Sequence, residues 1–314
     1  MIAINSLWNE KIEIPERDRL KNDIQTDVAV IGAGLAGILC AYMLKKQGVD
    51  VVVLEADRIG SGVTQYTTAK ITSQHGLIYD NLINQFGEEK AKMYADANEE
   101  AIAKFKSIIE ENNIDCDFET KPAYCYVLKD VERVEREVEA AKRLGIDAEF
   151  VKETPLPFDI LGAVKFNNQA QYHPMKFLKA ISENITVYEK TKAKSIEDST
   201  IITENGKVKA NKIIVATHYP FINVPGYYFM RMYQERSYLL AYENGVQLDG
   251  MYVDGDSGGY TFRNYKDMLI FGGAAHKTGK NKEGGCYKKL NSAAQKFYPG
   301  LELKYQWSTQ DCIT

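Results

Sequence analysis

Residues 27–55 combine a glycine-rich turn with an apolar run on either side and a helical pattern in between. The runs 28–31 and 51–54 are short and rich in β-branched residues, which is typical of buried parallel strands. Residues 32–37 have the spacing Gly-x-Gly-x-x-Gly, and apolar residues recur at helical spacing over 38–44. A glycine motif inside a complete strand–helix–strand unit is much more specific than the motif alone, and it predicts a dinucleotide-binding α/β fold.

Each position of the turn has a physical role in that prediction. Gly32 permits the tight turn, Gly34 lets backbone N–H groups approach a diphosphate, and Gly37 lets the helix pack closely on the strand. Leu35 and Ala36 stand at the helix N-terminus, whose partial positive charge favours phosphate. The alternative is a glycine-rich turn that binds no ligand.

Glu55 ends the second strand, with Ala56 directly after it. A carboxylate at this position can accept hydrogen bonds from both hydroxyls of an adenosine ribose. Because it would repel a 2′-phosphate, Glu55 argues against NADP. We therefore expect Glu55 and Ala56 to contact the nucleotide.

The rest of the chain favours FAD over NAD. A nicotinamide enzyme usually continues with alternating strands and helices, whereas here a polar stretch follows at 58–74 and dense β-rich sequence resumes only near residue 185. An interrupted Rossmann-like domain with its βαβ unit near the N-terminus suits a flavoprotein better. The predicted helices after the polar stretch are 79–86, 88–112, 131–144 and 175–181, and the predicted strands are 123–128, 148–151, 185–187, 192–196, 201–203 and 213–216.

Composition excludes several other classes of protein. The net charge of −4 gives no electrostatic case for nucleic acid. The five cysteines and four histidines are dispersed, so we expect thiols and no metal site. No run of eighteen apolar residues could span a membrane, and the N-terminus lacks the apolar core of a signal peptide, which predicts a cytoplasmic protein. The charge runs 88–92 and 132–139 are typical of solvated helix faces.

Several segments make the chain resemble FAD-dependent oxidoreductases of the D-amino-acid oxidase and glycine oxidase (DAO) group, in particular gamma-glutamylputrescine oxidoreductase-like proteins. The resemblance runs from about residue 24 to 314. Its landmarks are 27–37, 62–64, 67–70, 171–174, 215–218, 234–240, 272–279 and 307–314.

The resemblance implies where the cofactor lies. Val63 and Thr64 would lie near the diphosphate, while Thr68, Ala69 and Lys70 would pass beside the flavin ring. Small residues and hydroxyls suit a loop that approaches a planar ligand. The alternative is an ordinary loop rich in Ser, Thr and Gly, which would have the same composition. More weakly, the resemblance places Ala193 at the adenine and Ala216 and Thr217 over the nucleotide.

The resemblance also suggests candidates for chemistry. Arg263 matches the position of an arginine that grips the substrate carboxylate, and a guanidinium fork would orient the substrate in this way. The alternative is an exposed surface arginine. Lys70 could stabilise negative charge on reduced flavin or assist oxygen chemistry, and His75 could accept a proton. Cys312 lies near a region where sarcosine oxidase relatives attach FAD, but its surroundings differ, so we expect noncovalent FAD.

These features predict an α/β protein with an α+β second domain. The FAD-binding domain would comprise 1–77, 166–220 and 253–314, and an antiparallel-sheet substrate domain would comprise 78–165 and 221–252. Related proteins continue past a stretch like 307–312 into another flavin-binding segment, and some add a Rieske iron–sulfur domain. We expect the chain to stop before that segment, so that a Rieske domain or electron-transfer partner would lie outside it.

The predicted function is oxidation of a C–N bond in a small amine or amino acid by hydride transfer to FAD. A second hypothesis is a dinucleotide-binding fragment that is catalytically incompetent alone. A third is an NAD-linked dehydrogenase.

Overall fold

The fold was obtained as a computed structural model, which describes residues 5–224, 226–256 and 258–313. Residues 1–4, 225, 257 and 314, which fall within the predicted domain ranges, lie outside the described residues. Two compact units account for the chain. The first comprises Met1–Leu7, Thr68–His173 and Arg236–Thr309, and the second comprises Trp8–Thr67, Pro174–Glu235 and Gln310–Thr314.

The described residues contain seventeen strands, six α-helices and three 3-10 helices, which are Leu7–Asn9, Val63–Tyr66 and Tyr228–Met230. In chain order the strands are β1 Ile24–Ile31, β2 Val51–Leu54, β3 Lys70–Ile71, β4 Glu119–Thr120, β5 Ala123–Val127, β6 Ala148–Val151, β7 Gly162–Phe166, β8 Ala170–Gln171, β9 Thr186–Tyr188, β10 Ser195–Glu197, β11 Thr200–Ile202, β12 Lys207–Val215, β13 Tyr233–Glu243, β14 Met251–Asp254, β15 Thr261–Tyr265, β16 Met268–Lys277 and β17 Glu302–Ile313. The helices are α1 Leu35–Lys46, α2 Tyr79–Phe86, α3 Glu88–Glu111, α4 Val131–Arg143, α5 Pro174–Ser182 and α6 Cys286–Phe297.

The second unit is built on a six-stranded sheet in the order β10-β11-β12-β1-β2-β9. Strand β1 pairs in parallel with both β12 and β2, and β2 pairs in parallel with β9. All four residues of β2 are buried, as expected for a parallel strand covered on both faces. The strands β10, β11 and β12 form an antiparallel meander at one edge. This topology confirms the predicted Rossmann-like sheet.

The first unit contains most of an eight-stranded sheet in the order β17-β13-β16-β15-β14-β5-β7-β6, and a small sheet β3-β8-β4. Because side chains alternate across a strand, β5 serves two apolar cores: Cys125 and Val127 pack with α2, α3 and α4, whereas Tyr124 and Tyr126 pack in the core that includes Leu290 of α6. Strands β15 and β16 pair antiparallel and form a hairpin.

The structure differs from the predictions for three segments. The predicted strand 192–196 is largely wrong, because only Ser195–Glu197 is extended and it turns back through Asp198, at φ 51°, into β11. The charge run 132–139 is not uniformly solvated, because Glu137 is 0% exposed. Residues 253–309 group with the first unit, which differs from the range given to the FAD-binding domain; that domain assignment stays a prediction.

Glu137 is buried because it caps a neighbouring helix. Its carboxylate accepts hydrogen bonds from the backbone N–H groups of Ile78 and Tyr79, both at 2.9 Å, and of Asp80 at 3.1 Å. These N–H groups lie at the start of α2, whose own N-cap residue supplies no side-chain bond. A helix N-terminus leaves such donors unsatisfied unless another group accepts from them.

We expect Glu137→Ala to lower the free energy of unfolding by about 2–3 kcal/mol, since three donors lose a charged acceptor inside the protein. Urea denaturation measures this change. Glu139→Ala, on the exposed side of the same helix, is the matched control and should cost no more than about 0.5 kcal/mol. Equal effects of the two substitutions would contradict the capping role.

Candidate functional site

The glycine turn between β1 and α1 leaves no room for side chains at two positions. Gly32 has φ +107°, and a Cβ there would stand 2.5 Å from the carbonyl oxygen of Ala216. A Cβ on Gly37 would stand 1.9 Å from the carbonyl oxygen of Gly32. Both contacts are far shorter than van der Waals distance, so the turn and the start of α1 can pack on β1 and β12 only with glycine at these positions.

Thr64 joins the start of α1. The backbone N–H of Leu35 donates to Thr64 Oγ1 at 2.9 Å. Gly34, the N-cap of α1, has no side chain that could accept this bond, so the hydroxyl from the 3-10 helix Val63–Tyr66 takes over the capping role. The structure therefore brings the predicted residues Val63 and Thr64 to the same turn as Gly34, Leu35 and Ala36.

Glu55 is also held at the turn. Its Oε2 accepts from the backbone N–H of Ala33 at 2.7 Å, and its Oε1 accepts from the backbone N–H of Asp57 at 2.8 Å. A carboxylate has about four acceptor positions, so Glu55 can accept further hydrogen bonds from sugar hydroxyls without losing these two. Ala56 lies between Glu55 and Asp57, at the end of β2.

The remaining nucleotide candidates lie at the ends of neighbouring strands. Ala216 N donates to Ile31 O at 2.8 Å, which places Ala216 beside the end of β1. Thr217 Oγ1 donates to Tyr219 O at 3.0 Å. Ala193 is buried in the apolar core next to β1 and β2. These positions are compatible with contacts to a nucleotide, and the contacts themselves stay predictions.

Sequence reasoning missed Glu189, a buried carboxylate that organises this end of the sheet. It accepts from Ile59 N at 2.7 Å and Arg17 N at 3.0 Å, and its Oε2 lies 3.1 Å from Arg58 Nε. Glu189 thereby ties the loop after β2 to the end of β9. Its only sequence signal is an acidic residue directly after a strand, which is common on surfaces as well.

The βαβ turn of the second unit fits an ADP moiety. Backbone amides at a helix N-terminus favour a diphosphate, the two glycine positions remove the side chains that would block close approach, and a carboxylate at the end of β2 suits the ribose. FAD carries such a moiety, so the residues present fit this cofactor.

A second set of predicted residues lies together in the first unit. Arg263 is 1% exposed, so the alternative of a surface arginine is wrong. Its Nη1 donates to the carbonyl oxygens of Thr68 at 2.7 Å and Ala69 at 2.6 Å, and its Nε donates to Asn264 O at 3.2 Å. Burial lowers the pKa of Arg263 to about 9, so the guanidinium remains charged at neutral pH.

Lys70 lies beside this arginine and is half-buried. Its Nζ donates to Tyr252 O at 3.2 Å and contacts Thr261 Oγ1. Burial, and secondly the positive charge of Arg263, lower the pKa of Lys70 to about 7. At neutral pH a substantial fraction of Lys70 is therefore the free amine, which can accept a proton.

His75 lies elsewhere in the first unit. It is exposed, and its Nδ1 is 2.7 Å from the hydroxyl of Tyr94 on α3. Among residues 5–224, 226–256 and 258–313, no group of three or more His, Cys, Asp or Glu residues is arranged to hold a metal ion. Within the same part of the chain, every helix is too short or too polar to cross a lipid bilayer.

The parallel sheet and the glycine turn define a Rossmann-like dinucleotide-binding fold. Residues 27–312 match the family DAO, FAD dependent oxidoreductase, and the chain belongs to this family. Over 99% of its length it is 36% identical to a putative Rieske 2Fe-2S iron-sulfur protein of Bacillus subtilis (strain 168), and it spans 65% of that protein. It is 27% identical to gamma-glutamylputrescine oxidoreductase of Escherichia coli (strain K12), matching 63% of this chain and 50% of the relative. The chain thus spans less than two thirds of these curated relatives.

Solved structures support the fold. Glycine oxidase from Geobacillus kaustophilus superposes with a TM-score of 0.71 at 17% identity, covering 92% of this chain and 83% of the oxidase. L-proline dehydrogenase from P. horikoshii gives a TM-score of 0.72 at 18% identity, covering 93% of this chain and 82% of the dehydrogenase. At such identities the likeness establishes the architecture alone, and it confirms the predicted fold class.

We expect Gly37→Ala to weaken the binding of ADP-ribose at least about tenfold, because the new Cβ forces α1 away from the turn. Isothermal titration calorimetry measures this affinity. Gly62→Ala is the matched control, because a Cβ at Gly62 meets nothing within 4 Å. Unchanged affinity in Gly37→Ala would contradict the close packing.

The lowered pKa of Lys70 predicts a pH-dependent stability. In the unfolded chain Lys70 keeps its proton up to its ordinary pKa of 10.5, whereas in the folded protein its pKa is about 7. The free energy of unfolding therefore rises with pH between these two values. Relative to Lys70→Met, the free energy of unfolding should rise by up to about 1.4 kcal/mol per pH unit from pH 7 to 9.5. A constant difference between the two proteins across this range would contradict the burial of a titrating amine.

Proposed function

We propose that this chain binds FAD and forms part of an oxidoreductase that oxidises a C–N bond in a small amine or amino acid. Membership of the DAO family supports FAD as the cofactor. The observation that carries the proposal is the close-packed turn at Gly32 and Gly37 with the Glu55 carboxylate held beside it. A relative named gamma-glutamylputrescine oxidoreductase supports an amine substrate.

The nucleotide half of the cofactor would be held by backbone and carboxylate groups. The amides around Gly34–Ala36 would bind the diphosphate, and Glu55 would accept from the ribose hydroxyls while keeping its bonds to Ala33 and Asp57. When bound, FAD supplies the two-electron acceptor for a hydride from the carbon next to nitrogen. This chain would then need no nucleophile of its own.

Lys70 would accept the proton that the substrate ammonium group releases before oxidation. An ammonium group cannot release a hydride from its carbon readily, so the amine has to be neutral before oxidation. With a pKa of about 7, Lys70 exists partly as a free amine at neutral pH and can take that proton. The predicted role of Arg263 in binding a substrate carboxylate stays a prediction. Its Nη1 already donates hydrogen bonds to two backbone carbonyl oxygens.

The second part of the proposed function is the acceptor that takes the electrons from reduced FAD. The Bacillus subtilis relative is named a putative Rieske 2Fe-2S iron-sulfur protein and is longer than this chain. We propose an iron–sulfur partner, in the same or another polypeptide, as electron acceptor in place of oxygen. A cytoplasmic location stays a prediction.

The proposed reaction predicts that FAD bound to the protein loses its absorbance near 450 nm under anaerobic conditions when a suitable primary or secondary amine is added. A panel of amines and amino acids, including putrescine derivatives and glycine, should contain at least one substrate. Lys70→Met should slow bleaching about 100-fold at pH 7, within the range of proton-transfer catalysis. Tightly bound flavin that no member of the panel reduces would contradict the reaction assignment.

A further inference from the structure

The segment that carries Lys70 has an unusual backbone anchor. Ala69 has φ +55°, a conformation that alanine rarely adopts, and its side chain is buried. Its carbonyl oxygen accepts from Arg263 Nη1 at 2.6 Å and from Tyr172 N at 3.4 Å. The same Arg263 nitrogen donates to Thr68 O. A strained turn persists only where its surroundings hold it, and here one guanidinium holds two successive carbonyls.

The far end of the Lys70 side chain is fixed by the same strand that carries Arg263. Thr261 and Arg263 are two residues apart on β15, so their side chains point to the same face of the sheet. Thr261 Oγ1 contacts Lys70 Nζ and also donates to Tyr252 O at 2.8 Å. Strand β15 therefore sets both the backbone turn before Lys70 and the acceptor that meets its amine.

We propose that Arg263 is a positioning residue for Lys70: its guanidinium clamps the carbonyls of Thr68 and Ala69, directs Lys70 onto Thr261 and Tyr252, and places a second positive charge beside the amine. This inference rests on the proposed function in one respect, which is that Lys70 handles the substrate proton. It gives Arg263 a role other than binding a substrate carboxylate.

The charges around the two cations support this arrangement. Arg263 faces Glu119, Tyr265 and Tyr172, whose negative forms would stabilise it. Lys70 faces Arg263 and Cys125, and burial raises the pKa of Cys125 to about 12, so this thiol is neutral at pH 7. The charge that acts on Lys70 is thus the like charge of Arg263, which disfavours the protonated amine.

The experiment measures the pKa of Lys70 directly in the protein without added cofactor. Acetic anhydride labelling at a series of pH values, with mass spectrometry of the peptide that contains Lys70, gives this pKa from the rate of acylation. In Arg263→Met the pKa should rise by at least about one unit, because the like charge and the clamp are both lost. In Arg263→Lys, which keeps the charge, it should stay within about half a unit of wild type while thermal stability falls.

A merely structural role for Arg263 would lower stability without changing this pKa. Arg58→Met is the control for that outcome, since Arg58 pairs with the buried Glu189 in the other unit. It should reduce stability and leave Lys70 unchanged. An unaltered Lys70 pKa in folded Arg263→Met would overturn the proposal.

A further variant keeps the test informative if Arg263→Met does not fold. Lys70→Met removes a half-buried charge beside the like charge of buried Arg263 while keeping a similar volume, so at pH 6 it should raise the melting temperature. A fall in melting temperature at that pH would also overturn the proposal. Neither measurement uses flavin, so a failure of the amine panel would refute the reaction and leave the result for Arg263 standing.

Discussion

The contact between Gly37 and the carbonyl oxygen of Gly32 is the constraint on which the nucleotide-binding unit depends. A Cβ at Gly37 would lie 1.9 Å from that oxygen, so α1 can start this close to β1 only with glycine there. The close approach leaves the first amides of α1 at the surface of the turn, where Thr64 caps one of them. It also brings Ala33 N within 2.7 Å of Glu55. The accessible amides of the turn and the position of the Glu55 carboxylate are therefore both consequences of one packing contact.

The sequence predicted the local parts of the structure well. Strands 51–54 and 148–151 and helix 79–86 occur at the predicted positions, because short apolar runs and a helical period specify them without help from distant residues. The strand predicted at 192–196 is mostly absent, because extended pairing begins only at Ser195 and ends at Glu197, where the chain turns into β11. The spacing of apolar residues does not show where within such a segment the strand begins.

Contacts between residues that are far apart in the chain could not be predicted from the sequence. Lys70 and Thr261 are 191 positions apart, and Arg263 and Ala69 are 194 apart, so no pattern in one sequence pairs them. Glu137 illustrates the opposite error: a charged helix predicts a solvated face, yet one of its carboxylates is buried because it caps α2. In each case a tertiary hydrogen bond determines the position of a charged residue.

The two units thus hold different kinds of chemistry. The turn at Gly32–Gly37 offers amides and a carboxylate for a nucleotide. The cluster at Lys70 offers a half-buried amine whose pKa of about 7 lies in the range useful for proton transfer. Nucleotide binding at the turn comes first, because FAD must bind before any reaction can occur. Calorimetric titration with ADP-ribose and with its 2′-phosphorylated analogue tests it most directly. We expect ADP-ribose to bind, the 2′-phosphate to weaken binding at least about tenfold, and Glu55→Gln to reduce this discrimination. Equal affinity for both ligands, or binding of neither, would contradict nucleotide binding at this turn.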